Sequence, residues 1–159
     1  MSSRSAPFTV CCSLFTFRPM PDFKLFTIDE ANRTLPLVRR IVHDLLDEYP
    51  RWRQAVARFE IITGGARADW GETRDLVAAR DAVIGHAARI NQYLQELESV
   101  GCVFKGFDAG LVDFYTLRED RVVFLCWRLG EDRVTHWHEL DAGFAGRQPI
   151  DSTFSGVHS

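Results

Sequence analysis

The chain has 159 residues, enough for one domain with a hydrophobic core, and its 46% hydrophobic and 26% charged residues are those of an ordinary globular protein. The formal net charge of −3 excludes the strongly basic balance of nucleic-acid-binding proteins and gives no reason to expect an anionic membrane as a partner. No run approaches the roughly 18 apolar residues of a membrane-spanning helix, so neither a membrane nor a nucleic acid is expected as a partner.

Four cysteines are spread along the chain: Cys11, Cys12, Cys102 and Cys126. Their spacing is neither that of a metal-binding knuckle nor that of a dense disulfide framework. We therefore expect reduced thiols and a cytoplasmic location, because disulfides persist mainly in oxidising compartments.

The first residues are the least informative part of the chain. The apolar run at residues 8–17 faintly resembles a signal peptide, but its basic flank is thin and no small-residue cleavage site follows it. We expect residues 1–22 to be a disordered or mis-assigned extension, with Met20 as an alternative start to Met1.

The first predicted element is a helix that begins near Ile28. Thr27 and Glu30 have the spacing of a capping box, in which each side chain binds the backbone N–H of the other residue. Apolar residues then recur at steps of three and four, which predicts a helix with a heptad seam. The residues of this seam are Leu35, Val38, Val42, Leu45, Tyr49, Trp52, Val56 and Phe59.

Two prolines interrupt the helical pattern. Pro36 predicts either a short helix that ends near Leu35 and a longer one after it, or a single helix with a kink. Pro50 lies inside the seam and predicts a kink or a break. Two consecutive glycines then predict a loop over residues 63–71.

A second helix is predicted over residues 72–100, and Gly101 ends it. Its seam again has three-four spacing: Leu76, Ala79, Val83, Ala87, Ile90, Leu94 and Leu97. Two long helices joined by a short loop should pack as an antiparallel hairpin. His43, His86 and Tyr93 flank the seams, and we interpret them as packed or solvated side chains rather than ligands.

After the second helix the apolar period changes to two, which predicts β-strands. Turn-prone segments separate these strands, so we expect an antiparallel meander of three or four strands. The predicted strands are residues 111–117, 121–129 and 133–140, with a shorter one at 102–107. The sequence therefore predicts a single α+β domain over residues 23–150, a long antiparallel helical hairpin followed by a small antiparallel sheet, and a flexible tail at residues 151–159.

The strongest candidate for a functional site is the segment RVTHWHELDAGFAGRQP at residues 133–149. His136 and His138 are two residues apart on a predicted strand, so their side chains point to the same face. Two imidazoles on one face can chelate a metal ion. The alternative is that one histidine is packed and the other exposed.

The expected hairpin loops bring further side chains to this face. A two-residue loop at residues 119–120 places Asp113 opposite Cys126, and a three-residue loop after the next strand places Cys126 opposite His136. These three residues and His138 then share one face across three strands. A slip of one residue in either loop would move half of the set to the other face.

Two further carboxylates are candidates. Glu139 points away by strand parity but turns inward if the strand ends before it, and Asp141 can approach from a loop. A carboxylate at position 113 is costly to bury unpaired, so a cation, an arginine or a backbone cap is expected beside it. We expect Cys126 to be a small buried apolar residue rather than a ligand. The candidate ligands of a divalent ion, zinc or iron, are His136, His138, Asp113, Glu139, Asp141 and Cys126.

A glycine-rich turn with an arginine follows the histidines. Gly143 and Gly146 permit close backbone approach, and Arg147 can bind an anionic group of a cofactor with two hydrogen bonds. The alternative, which we favour, is that Arg147 forms an ion pair with Asp141 or Glu139.

Three functions are compatible with these patterns. The first is metal binding by a His/carboxylate site in the sheet, with or without catalysis. The second is an interaction or homodimerisation module that uses the helical hairpin, in which the C-terminal motif is purely structural. The third is haem binding through one of the histidines against the apolar helices.

Four segments carry a family resemblance: FTIDEANRTLP, GLVDFYTL, LCWRLGE and HWHELDAGFAGRQP. Over residues 26–150 the chain resembles a small bacterial family, domain of unknown function 2203, for which the resemblance implies no established activity. Pro50 departs from the uninterrupted first helix of that family. The resemblance implies that the family's motif positions are Asp113, Cys126, Trp127, Glu131, His136, His138, Glu139, Asp141, Gly143, Gly146 and Arg147.

Overall fold

A computed structural model describes residues 23–65, 71, 73–152 and 154. The expected extension at residues 1–22 lies outside the described residues, as does most of the expected tail at 151–159. The described elements are α1 (Ile28–Gly65), α2 (Arg74–Val100), β1 (Cys102–Gly106), β2 (Leu111–Arg118), β3 (Arg121–Arg128), β4 (His136–His138), a 3₁₀ turn (Phe144–Gly146) and β5 (Gln148–Pro149).

Helix α1 begins with the capping box that the sequence predicts. The Thr27 N–H donates to Glu30 Oε2 at 2.9 Å, and the Glu30 N–H donates to Thr27 Oγ1 at 3.1 Å. The helix is continuous for 38 residues and contains both Pro36 and Pro50, so a break at either proline is wrong. Packing of its apolar stripe compensates for the hydrogen bonds that the prolines omit. The predicted start of the loop at residue 63 is also wrong, because α1 continues to Gly65.

Helix α2 has a cap at each end. Thr73 Oγ1 accepts from the Leu76 N–H at the start, and the Gly101 N–H donates to the carbonyls of Leu97 and Glu98 at the end. Gly101 has a φ of +101°, and a Cβ there would lie 3.0 Å from the Cβ of Lys24, so both conformation and space favour glycine. The two helices pack together as the predicted antiparallel hairpin.

The strands form one antiparallel sheet in the order β1-β2-β3-β4-β5. Asp113 pairs with Cys126, and Cys126 pairs with His136, which confirms the predicted register. The β2–β3 hairpin closes through Glu119 and Asp120, whose φ angles of 50° and 62° are those of the two-residue type I′ turn. The α+β architecture is confirmed. Strand β4 is shorter than expected, and the two-residue strand β5 adds a fifth strand.

The two faces of the sheet have different chemistry. One face is apolar and packs against the helices to form the hydrophobic core, with Val112, Phe114, Leu125, Trp127 and Trp137. Alternate residues of the same strands point to the opposite face, which the helices do not cover. Within the described residues, neither helix is long and apolar enough to cross a lipid bilayer.

Candidate functional site

A cluster of three polar side chains is buried on the sheet face opposite the helices. Asp113 and Cys126 are each 1% exposed, and His138 is 2% exposed. Each offers one potential ligand atom, and these atoms lie within 4.8 Å of one another. Among the described residues, a search for histidine, cysteine and acidic side chains close enough to share a metal ion finds this group.

Strand register explains how three distant positions meet. Asp113 and Cys126 lie side by side on β2 and β3. His138 lies opposite Phe124, two residue pairs along from the Cys126–His136 pair, so its ring must reach diagonally across β3. The ring packs against Phe124 with centroids 5.4 Å apart, and its Nε2 lies 3.2 Å from Asp113 Oδ2.

The hydrogen bonds of His138 define its tautomer. Nδ1 lies 2.7 Å from the carbonyl oxygen of Glu139. Because a carbonyl only accepts, Nδ1 carries the proton, and Nε2 is an acceptor whenever it does not carry a second proton. The facing oxygen of an ionised Asp113 is also an acceptor. Two acceptor atoms at 3.2 Å require a proton or a cation between them.

The environment of Asp113 is incomplete. Its Oδ1 atom is buried and has no hydrogen-bond partner. Burial raises the pKa of Asp113 and outweighs the lowering by the Cys126 thiol and the His138 ring beside it. A positive side chain does lie nearby, as the sequence predicts, but Lys105 Nζ is 3.9 Å from Oδ2 and half-exposed.

The thiol of Cys126 is inactive as a nucleophile in this environment. Burial raises its pKa to about 12, and the negative charge of Asp113 adds to the shift. A thiol in such surroundings is neutral and unreactive unless a cation favours the thiolate. The arrangement is therefore not suited to nucleophilic attack by cysteine.

A pocket of about 220 Å³ opens beside the cluster. Its rim contains two large apolar side chains that are half-exposed, Leu140 at 49% and Phe144 at 47%. Sequence analysis missed Lys105, Leu140 and Phe144, although the last two lie inside the motif that it singled out. The lining residues are Lys105, Leu111, Asp113, Cys126, His138, Leu140, Gly143 and Phe144.

Three of the candidate ligands lie outside the cluster. His136 is half-buried beside Cys126, and its Nδ1 is 2.9 Å from the hydroxyl of Thr135. Glu139 forms an ion pair with Arg121 at 3.2 Å. Asp141 is exposed in a turn. None of the three contributes a ligand atom to the group within 4.8 Å.

Arg147 has a partner that the sequence analysis did not name. Its Nη2 donates to both carboxylate oxygens of Glu131 at 2.8 Å, so the expected pairing with Asp141 or Glu139 is wrong. The guanidinium also lies 5.2 Å from the ring centroid of Phe144. Arg147 thereby ties the wall of the pocket to the β3–β4 connection.

Glu131 is the centre of this connection. Its Oε2 accepts from the Arg128 N–H, and its carbonyl oxygen accepts from Trp127 Nε1 and from Arg39 of α1. Trp127, Glu131 and Arg147 therefore share a structural role. They support the site without belonging to it.

A second buried polar cluster joins the two helices. Glu48 is 4% exposed, and its Oε1 receives His86 Nδ1 and Arg89 Nε at 2.5 and 2.6 Å, while Arg51 lies 3.6 Å from Oε2. Burial would raise the pKa of Glu48, but the hydrogen bonds from His86 and Arg89 more than offset it, so the pKa is lowered. The sequence signal was weak: Glu48 continues the buried stripe of Ile41 and Leu45.

Comparison with known proteins gives one match. The sequence model of the family described as "Uncharacterized conserved protein (DUF2203)" matches residues 24–150. No curated protein and no solved structure matches the chain. Since the matched segment contains both helices and all five strands and covers most of the chain, the protein belongs to the DUF2203 family.

Proposed function

We propose that the protein binds one divalent metal ion through Asp113, Cys126 and His138. The observation that carries the proposal is the 3.2 Å separation of His138 Nε2 and Asp113 Oδ2, two buried atoms that need a proton or a cation between them. Ligands about 2.0 Å from a tetrahedral ion lie about 3.3 Å from each other. The observed spacing supports a shared ion.

The mixture of ligand atoms favours zinc. One nitrogen, one oxygen and one sulfur are typical of zinc sites, whereas a non-haem iron site uses two histidines and one carboxylate. An iron site would require His136 in the place of Cys126. Three protein ligands also leave a fourth position, and the adjacent pocket supports an open site rather than a closed structural one.

The ion would also resolve the electrostatics of the cluster. A divalent cation balances the charges of the Asp113 carboxylate and the Cys126 thiolate, and it takes the lone pair of His138 Nε2. The carboxylate of Asp113 also has one buried oxygen, Oδ1, without a hydrogen-bond partner, so the described neighbours do not fully satisfy it. Metal binding would neutralise the charge of this buried carboxylate.

Elemental analysis tests the proposal directly. The full chain, purified without chelators and then reconstituted, is expected to contain one zinc ion per molecule. Cobalt(II) substitution should add the near-ultraviolet charge-transfer band of a thiolate ligand, since Cys126 is in the ligand set. A protein that retains neither zinc nor iron after reconstitution contradicts the proposal.

Two buried cysteines allow a matched comparison. Loss of a residue that only supports a metal ligand typically weakens metal binding about 10- to 100-fold. Cys126→Ser removes a proposed ligand itself and should therefore weaken zinc binding by about 100-fold or more. Cys102→Ser is the control, because Cys102 is also buried with a pKa raised to about 12 but lies on the core face. Its serine can still donate to the Leu97 carbonyl, as the thiol does. Unchanged zinc affinity in Cys126→Ser removes that residue from the site.

Homodimerisation through the hairpin is a second proposal, with one supporting observation. Ile61 of α1 and Ile84 of α2 are 77% and 59% exposed, far from the sheet end of the hairpin. A dimer that covers them would sediment at twice the monomer mass, and Ile61→Asp should then dissociate it. A monomeric wild-type chain at high concentration contradicts this proposal. Haem binding stays a prediction from sequence, to be tested by Soret absorbance on titration.

A further inference from the structure

The pocket beside the cluster combines three kinds of surface. Asp113, Cys126 and His138 form one side, next to the proposed ion. Apolar walls come from Leu111, Leu140 and Phe144, and a single ammonium group comes from Lys105. Pockets with apolar walls and a few convergent polar groups are typical of small-molecule sites.

Charge balance in the metal-bound state determines the sign of a ligand. The two charges of the ion are balanced by Asp113 and Cys126, and His138 is neutral because its Nε2 binds the ion. Lys105 then loses the carboxylate that lies 3.9 Å from its Nζ in the metal-free protein. The pocket therefore carries one uncompensated positive charge, which favours a monoanion.

Two ion pairs near the pocket leave this balance unchanged. Arg147 is paired with Glu131 at 2.8 Å, and Arg121 is paired with Glu139 at 3.2 Å. Each pair is neutral as a whole. Among the described pocket-lining residues, Lys105 is thus the source of the net positive charge.

The volume of the pocket limits the size of the ligand. A dry apolar cavity of about 150 Å³ is large enough for benzene. The pocket of about 220 Å³ has room for a ring with one small substituent, or for a branched aliphatic group of similar size. A nucleotide or a peptide segment would not fit inside it. The half-exposed Leu140 and Phe144 side chains are placed to pack against an apolar body.

We infer that this pocket binds a small monocarboxylate with an apolar body, an inference that rests on the proposed metal site. The carboxylate would occupy the open position of the ion and interact with Lys105 Nζ. The apolar body would contact Leu140 and Phe144. Binding of this kind is reversible and requires no covalent step.

Titration of the zinc-loaded full chain with benzoate tests the inference. Benzyl alcohol has the same ring without the charge, benzylamine has the opposite charge, and acetate has the charge without the ring. Benzoate is expected to bind at least tenfold more tightly than each of the three, measured by calorimetry. Equal affinity for benzoate and benzyl alcohol, or for benzoate and acetate, overturns the inference.

The two lysines of the chain provide a matched pair of variants. Lys105→Gln should weaken benzoate binding about tenfold while the zinc content stays near one per chain. Lys24→Gln is the control, since Lys24 is also exposed and also lies over a phenylalanine ring, at 4.3 Å from the Phe26 centroid against 4.6 Å for Lys105 and Phe124. Unchanged benzoate affinity in Lys105→Gln contradicts the inference.

Phe144→Ala separates the apolar contact from the charge. It should weaken benzoate binding several-fold and leave acetate binding unchanged, because Phe144 contacts only the ring in this arrangement. If the zinc-loaded protein does not bind benzoate, the inference is wrong but the proposed metal site is not contradicted. A protein that takes up no zinc overturns both, and elemental analysis detects that outcome before any ligand is added.

Discussion

Two buried carboxylates in this protein differ in almost every respect except burial. Glu48, between the helices, receives hydrogen bonds from His86 and Arg89, and its pKa is lowered. Asp113, on the sheet, faces the Nε2 atom of His138 and has an oxygen without a partner, and its pKa is raised. A buried acid that the fold satisfies is part of the scaffold, whereas one that the fold leaves unsatisfied is a candidate for a functional role.

Burial imposes the same kind of energetic cost on both carboxylates. A buried polar group without a partner costs about 1–3 kcal/mol. Glu48 avoids this cost through its own neighbours. Asp113 lies between Val112 and Phe114 in a strand where an apolar residue would avoid this cost too.

The largest expected difference is the response to zinc. At a free zinc concentration 100 times the dissociation constant, the free energy of unfolding of the wild type should rise by about 2.7 kcal/mol. Asp113→Asn should remove this increase, and Glu48→Gln should keep it. Urea denaturation with zinc and with a chelator measures both. If zinc raises the free energy of unfolding of the two variants equally, the two carboxylates do not differ in the way described above.

The next effect concerns the metal-free protein. Glu48→Ala leaves His86 half-buried without its acceptor and should lower the free energy of unfolding by about 2 kcal/mol, less than for a fully buried pair because Arg89 and Arg51 are open to solvent. Denaturation in the presence of a chelator checks it. Glu60→Ala, on an exposed position of the same helix, is the control and should change little.

Acid should weaken the contribution of Glu48. Its pKa in the folded protein is below the ordinary value of 4.5, so its stabilisation is complete above that pH and is lost as the pH falls through the lower folded value. The stability difference between the wild type and Glu48→Gln should therefore be constant near neutrality and shrink below pH 4.5. A difference that grows toward acid would mean that Glu48 is not stabilised as its carboxylate.

The smallest effect is expected for Asp113→Asn in the chelated protein. The new amide can donate to His138 Nε2, which the native carboxylate cannot do, so stability should stay equal or increase by up to about 1 kcal/mol. Urea denaturation under chelation measures the change. A loss of several kcal/mol would show that Asp113 is a structural residue and would reverse the distinction from Glu48.

The strand register at the site could be predicted from the sequence because it depends on local geometry. Glu119 and Asp120 suit a two-residue hairpin, and strand parity then places Asp113 beside Cys126. The reach of His138 was not predictable, since the diagonal approach of its ring depends on packing against Phe124. Parity alone treats His136 and His138 as equivalent.

Long-range packing explains the remaining differences. Pro36 and Pro50 oppose the helix locally, but α1 is held along one side by the sheet and α2, which overrides a local preference. Glu48 follows Ile41 and Leu45 at helical spacing, but its burial depends on His86 and Arg89 of α2, which are far away in the sequence. The pocket wall at Leu140 and Phe144 depends on the Arg147–Glu131 pair, and no periodic pattern predicts that pair.

The turn at Glu119 and Asp120 has a consequence for the order of folding. A hairpin with a two-residue loop is among the fastest structures to form, in about 1–10 μs, because its contacts are close in the chain. Asp113 and Cys126 would therefore be aligned before β4 brings His138. Strand β4 adds His138 to this pair, so the proposed ligand set is complete only after β4 has joined the sheet.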